Sequence, residues 1–198
     1  VLTSEVRKAL SDALREGRLN EARMMLEREG AYAPDAEELS YFQGVLFLAQ
    51  GQTEEGIQKL KDALSVAEER SNFVFAIAAA ARLARKDPDN VDIRLRRADL
   101  YLAMGVEHAA YDYLLREFDF YRRRNDPHAL SSIVKKMIDI DKENLDLALK
   151  VAKILAYLEQ NDEVRLVVEN VIFTLQGHGK YTEAAHIQKE YTKLYEES

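Results

Sequence analysis

Cysteine and tryptophan are absent from this 198-residue sequence, and proline occurs only three times. Without thiols there can be no disulfide framework, thiolate metal site or cysteine nucleophile. An excess of positive charge is missing too. The 28 Lys and Arg are outnumbered by 35 Asp and Glu, for a formal charge of −7 and a pI near 5.3. That balance disfavours a general attraction to nucleic acid or to anionic membrane surfaces, both of which call for a basic face. Long apolar runs are lacking as well. The longest unbroken one, Phe73 to Ala81, is far short of the ~20 residues that span a bilayer. Nothing at Val1 resembles a secretory signal. The chain therefore reads as soluble and cytoplasmic, without membrane insertion, and its start at Val1 reads as an excised domain or a processed product. What is present is 47% apolar and 32% charged, an ordinary globular composition.

Helical periodicity runs from end to end, broken at short intervals by residues that stop helices. Each proline sits in a polar junction: Ala33-Pro34-Asp35, Asp87-Pro88-Asp89-Asn90 and Asn125-Asp126-Pro127. Asp126 can cap free N–H groups while Pro127 is tolerated at the first helical position. Asp35 and Glu38 have capping-box spacing. Gly17, Gly51, Gly105 and the pair Gly177/Gly179 fall where one amphipathic run gives way to the next. Eleven helices are predicted, over 3–16, 19–29, 35–50, 53–70, 72–86, 90–104, 107–124, 127–140, 144–159, 162–176 and 181–196. Tyr41 to Ala49 and Phe73 to Ala81 are apolar nearly all the way round, so neighbours must cover both on opposite faces.

The chain also resembles itself. At an offset of 54 residues, Asp87-Pro88-Asp89-Asn90-Val91-Asp92-Ile93 falls on Asp141-Lys142-Glu143-Asn144-Leu145-Asp146-Leu147. The same offset places Gly44, Leu46, Phe47, Leu48, Gly51 and Gly56 opposite Ala98, Leu100, Tyr101, Leu102, Gly105 and Ala110. One domain, 1–198, is predicted: an N-terminal hairpin at 1–36, then three-helix units at 37–90, 91–144 and 145–198.

These residues resemble the tetratricopeptide family, whose 34-residue helical hairpins carry small residues at positions 8 and 20, a larger apolar residue at 11 and a turn glycine at 15. Counting from Glu37 gives Gly44, Phe47, Gly51 and Gly56 in those roles. Counting from Val91 gives Ala98, Tyr101, Gly105 and Ala110, with Pro88 where the family's closing proline belongs. Counting from Thr3 gives Ala13, Gly17 and Ala22 at positions 11, 15 and 20, but the larger Leu10 at position 8. The 54-residue unit is one helix longer than the family standard, and position 4 has no tryptophan. The resemblance implies an all-α, right-handed α-solenoid of tetratricopeptide-like hairpins. Small residues at 8 and 20 would let paired helices approach closely.

Signs of catalysis are few. Glu183-x-x-His186 puts a carboxylate and an imidazole on one helical face, but a di-iron bundle needs a second such pair and further glutamates. His108, His128, His178 and His186 read as solvated surface residues. Gly177-His178-Gly179-Lys180 lacks the earlier glycine and the strand of a phosphate loop, and reads as a helix–helix turn. No HExxH, GxSxG or GxGxxG pattern occurs. A chain that is not an enzyme is expected, with no catalytic residue, cofactor or metal. Arg94, Arg96, Arg97 and Arg122 to Arg124 read as helix-capping and solubilising charges rather than a nucleic-acid groove. Tyr111 and Tyr113 cannot share a helical face, so one of them should lie nearer the surface, whereas Tyr101 should belong to the core.

If the family's use of its first helices as a groove wall carries over, Glu38, Tyr41, Phe42, Val45, Leu48 and Ala49 face a ligand. Asp92, Leu95, Arg96, Asp99, Leu102 and Ala103 follow in the second unit, then Asp146, Leu149, Lys150, Lys153, Ala156 and Tyr157 in the third. Tyr41, Arg96, Asp99, Lys150, Lys153 and Tyr157 are the candidate partner-binding residues of this groove, which suits an acidic, apolar-anchored peptide. The function this implies is a non-catalytic scaffold that binds a partner protein or peptide. The alternative is a peptide- or ligand-responsive regulatory domain of a larger protein.

Overall fold

The protein is described by a computed structural model at residues 2–32, 37–124, 126–141 and 161–196. Ten helices and no strand occur among them. They are α1 (Ser4–Arg15), α2 (Leu19–Gly30), α3 (Glu37–Ala49), α4 (Thr53–Glu69), α5 (Phe73–Lys86), α6 (Val91–Ala103), α7 (Glu107–Arg124), α8 (Pro127–Ile140), α9 (Asn161–Gly177) and α10 (Tyr181–Glu196). Each begins and ends within about two residues of its predicted span. The helix predicted over 144–159 lies outside the described residues, as do Pro34, Asp35, Lys150, Lys153 and Tyr157. Among the described residues no helix is long and apolar enough to cross a membrane.

Local chemistry sets the helix ends. Thr3, Asn90 and Asp126 each accept a hydrogen bond from the backbone N–H three residues on, at Val6, Ile93 and Ala129, and Pro127 takes the first turn of α8. Gly17, Gly51 and Gly179 close their helices in the left-handed region, with φ of 75°, 81° and 74°. In each case the next residue's N–H reaches back to a carbonyl five residues earlier, as Arg18 does to Ala13 at 2.8 Å, so the last free carbonyls find donors. Ser71 occupies the same place between α4 and α5 at φ 56°, although it has a side chain.

The α3–α4 hairpin shows the close approach implied by small residues at positions 8 and 20. A methyl group on Gly56 would sit 2.7 Å from Leu48 Cγ and 3.0 Å from the Gly44 carbonyl oxygen. One on Gly44 would meet Leu60 Cγ at 2.9 Å. The two backbones touch, and only glycine leaves room for that. In the α1–α2 hairpin the equivalent Leu10 and Ala22 are fully buried.

The described residues fall into two compact units, 1–105 and 106–198. In the first, each helix packs on the next, and α3 also touches α1 and α5. These three helices make one layer. On the other side of α5, Arg96 of α6 reaches Glu68 of α4, and Ile93 and Leu100 of α6 join the α4 residues Leu60 and Leu64 in one apolar cluster. Strict alternation thus sets α6 beside α4 and away from α3. A second cluster unites Leu10, Ala13, Ala22, Leu26, Leu39, Phe42 and Leu46. The apolar α3 is covered on two sides, as its sequence requires. In the second unit α7 packs on α8 and α9 on α10. Tyr113 is buried there and Tyr111 only half-buried, so the two tyrosines divide between core and surface.

Candidate functional site

One layer of the first unit carries a cleft of about 320 Å³ where α1, α3 and α5 meet. Ser11, Leu14 and Arg15 line it from α1, Tyr41, Phe42 and Val45 from α3, and Arg82 from α5. Helical spacing explains the grouping. Ser11 with Leu14 and Arg15, and Tyr41 with Val45, are three or four residues apart, so each set lies on one face. The floor is apolar, since Phe42 and Val45 are buried and Leu14 packs against the cluster that contains Phe42. Both charged residues of the lining are arginines; no carboxylate lines the cleft.

Tyr41 organises the cleft. Its ring meets Phe42 and Phe75 edge to face, with centroids 5.4 and 5.3 Å apart. Its hydroxyl accepts a hydrogen bond of 2.6 Å from Arg82 Nε, and the Arg82 guanidinium carbon stands 5.4 Å from its ring centroid. No carboxylate pairs with Arg82 among the described residues. Arg15, by contrast, is held 2.6 Å from Asp12 on its own helix, and Arg70 lies 2.7 Å from Glu37.

The other predicted contact residues lie elsewhere. Arg96 is exposed on α6 and makes a two-pronged ion pair with Glu68 of α4. The hydrogen bond to Glu68 raises the Arg96 pKa against a smaller effect of burial. Asp99 is exposed on the same helix. The structure therefore brings Tyr41 together with neither Arg96 nor Asp99. Glu38, expected on the ligand-facing wall, is 2% exposed and accepts a 2.7 Å hydrogen bond from the Leu2 N–H, with Arg7 at 3.8 Å. Tyr101, expected in the core, is half-buried beneath Arg97, whose Nη2 donates to its hydroxyl at 3.3 Å.

Arg82 was missed by the sequence reading, although a signal existed. From Phe73 to Lys86 the sequence of α5 carries three cations and no carboxylate, in a chain whose net charge is negative. Several basic residues elsewhere attend to helix ends. Arg94 reaches the Ala84 carbonyl, Arg122 pairs with Asp119, and Arg123 bonds the Asp119 carbonyl. All four histidines are exposed. Among the described residues no group of three or more His, Asp or Glu is arranged to hold a metal ion. A shallower cleft in the second unit is lined by Glu107, His108, Tyr111, Asp112, Ile140 and Asp141, where burial and then the Asp141 charge push the Tyr111 hydroxyl pKa up.

No family model matches the chain, and no curated protein matches it. Solved structures similar to it include nearly identical TPR-like repeats ascribed to a kinesin light chain of Podosopora anserina, at 14% identity. That match covers 89% of this chain and 95% of the other, with a TM-score of 0.45. A tetratricopeptide repeat protein from Parabacteroides merdae is similar at 14% identity, with 96% and 92% covered and a TM-score of 0.29. The pilF protein of Pseudomonas aeruginosa is similar at 13%, with 98% of each chain covered and a TM-score of 0.29. Apart from these distant likenesses, the glycine contact between α3 and α4, the glycine-closed turns and the alternating hairpins make this fold a tetratricopeptide-like helical repeat.

Proposed function

We propose that the chain is a non-catalytic scaffold that binds a partner protein through an extended segment laid on the α1–α3–α5 layer. The observation that supports this reading is the cleft at Tyr41. It joins an apolar floor to a few convergent polar groups, which is the anatomy of a recognition site. At about 320 Å³ it is at the small end of the range for ligand pockets, about 300–1,000 Å³. That size suits one anchoring side chain of a longer partner. Selectivity on such a surface comes from a few anchors, with the surrounding contacts supplying complementarity. Arg96 and Asp99 of α6 enter the proposal as charged contacts outside the cleft, and Lys150, Lys153 and Tyr157 enter it from the sequence alone.

Selection of a displayed library of random linear peptides against the full chain tests this reading. Ser11 is exposed at the cleft rim, so Ser11→Trp fills the cleft without disturbing the core. Enriched peptides should bind the unaltered chain and lose about tenfold or more in affinity for Ser11→Trp, a difference of about 1.4 kcal/mol. If the enriched peptides bind Ser11→Trp equally well, or none is enriched, the α1–α3–α5 layer is not the binding surface.

A further inference from the structure

We infer that Arg82 is the specificity-determining residue of the cleft, selecting a partner segment in which an acidic side chain flanks the apolar anchor. This rests on the reading above, and deepens it by naming the chemistry of the partner. Three observations carry it. Arg82 is half-buried yet has no carboxylate partner among the described residues, whereas Arg85, Arg116 and Arg123, which also have none there, are exposed, and Arg15, Arg18, Arg70, Arg96, Arg122 and Arg165 are paired. Its orientation is set on one side, because the Tyr41 hydroxyl takes Nε and the Tyr41 ring lies against the guanidinium. Finally, no acid lines the cleft to repel a carboxylate, and the other cation of the lining, Arg15, is already paired with Asp12, which leaves Arg82 as the group that a carboxylate would meet.

With Nε committed to Tyr41, the two terminal nitrogens of Arg82 form the fork that matches a carboxylate. Holding the side chain beforehand lowers the entropy lost on binding, because an arginine has many rotamers to give up when free. The apolar floor at Leu14, Phe42 and Val45 lies beside that fork, so the carboxylate and the apolar anchor must be near neighbours in the partner. A polyanion such as RNA fits less well. It would offer many phosphates to a site with one uncommitted cation and an apolar floor, on a chain with net charge −7. Tyr41 is the positioning residue.

The test uses three pools of short peptides with random flanks and a central Leu, flanked on both sides by Glu in the first pool, by Gln in the second and by Lys in the third. Each pool is displayed and selected on the full chain and on Arg82→Gln, Arg82→Glu, Tyr41→Phe and Ser11→Trp, with unchanged circular dichroism confirming that each variant is folded. The full chain should enrich the Glu pool about tenfold over the Gln pool, with the Lys pool lowest. Arg82→Gln should erase the preference, and Arg82→Glu should turn it toward Lys. Tyr41→Phe keeps the ring but frees Nε, and should shrink the Glu-to-Gln ratio severalfold. Binding that Ser11→Trp removes but that shows no Glu preference, or keeps it in Arg82→Gln, overturns the role of Arg82 and leaves the scaffold reading standing. Binding that survives Ser11→Trp, or no enrichment in any pool, overturns both. A single-stranded oligonucleotide bound more tightly than the Glu pool and lost in Arg82→Gln would reassign the cleft to nucleic acid.

Discussion

Ser71 has a backbone that suits a different residue. Its φ of 56° lies where a side chain crowds the following carbonyl, and its side chain is exposed with no hydrogen bond among the described residues. The N–H of Asn72 nevertheless reaches the Ala67 carbonyl at 2.7 Å, closing the helix as Gly17 and Gly179 do. No local signal marks this position in the sequence, since serine is an ordinary loop residue. The longer pattern does mark it, because Ser71 stands 54 residues after Gly17 and twice that before Gly179. Ser71→Gly should therefore stabilise the protein by about 0.5–1 kcal/mol, relief of backbone strain outweighing the extra freedom of the unfolded glycine. Urea unfolding followed by circular dichroism measures this, and an unchanged or lower midpoint would show that the turn carries no strain.

At the scale of the helix, boundaries were legible and layer assignment was not. Caps such as Asn90 and Asp126 and turn glycines such as Gly51 are local, so the sequence displays them. Which layer a helix joins depends on how many helices precede it. Helices start 54 residues apart at Leu19, Phe73, Pro127 and Tyr181, and again at Thr53, Glu107 and Asn161. The periods that start at Leu19 and Phe73 each hold three helices, an odd number, so alternation sends period-equivalent helices to opposite layers, as α3 and α6 show. That is why Phe42, which lines the cleft, and Arg96, its equivalent 54 residues on, do not share a groove.

The start of α3 was also hidden. Two adjacent glutamates look like a solvated first turn, yet Glu38 turns to Leu2 and Arg7 while Glu37 turns to Arg70 and Asn72. Burial pushes the Glu37 pKa up, but hydrogen bonds from Asn72, its own backbone N–H and Arg70 together hold it below the ordinary carboxylate range. A carboxylate whose pKa is lower in the folded state stabilises fully above its unfolded pKa, about 4.3, and that stabilisation fades as pH falls through the folded value. Glu37→Gln should therefore cost about 1.5 kcal/mol at neutral pH, with the gap to the unaltered chain narrowing in acid below about pH 4. Thermal melts across that range should show the two curves converging; parallel curves would mean that the Glu37 charge does not hold the α4–α5 turn to α3.

For the molecule as a whole, the question is how far stability is shared along the chain. Both apolar clusters of the first unit close within it, one running from Leu2 to Leu46 and the other from Leu60 to Leu100. The glycine contact, the Glu37 and Glu38 ties and the Arg96–Glu68 pair also begin and end inside residues 1–105. In a stacked repeat, each module draws its stability from itself and its nearest neighbours, so a segment whose core is complete can stand alone. Residues 1–105 expressed by themselves should be helical and unfold in one cooperative transition. Because every residue lining the Tyr41 cleft lies in this segment, the fragment should also keep the peptide affinity of the full chain within about threefold, less than 1 kcal/mol. A fragment that melts without cooperativity would show that the first unit leans on the second for its fold. A cooperative fragment that has lost the peptides would show instead that the partner segment also needs contacts beyond residue 105.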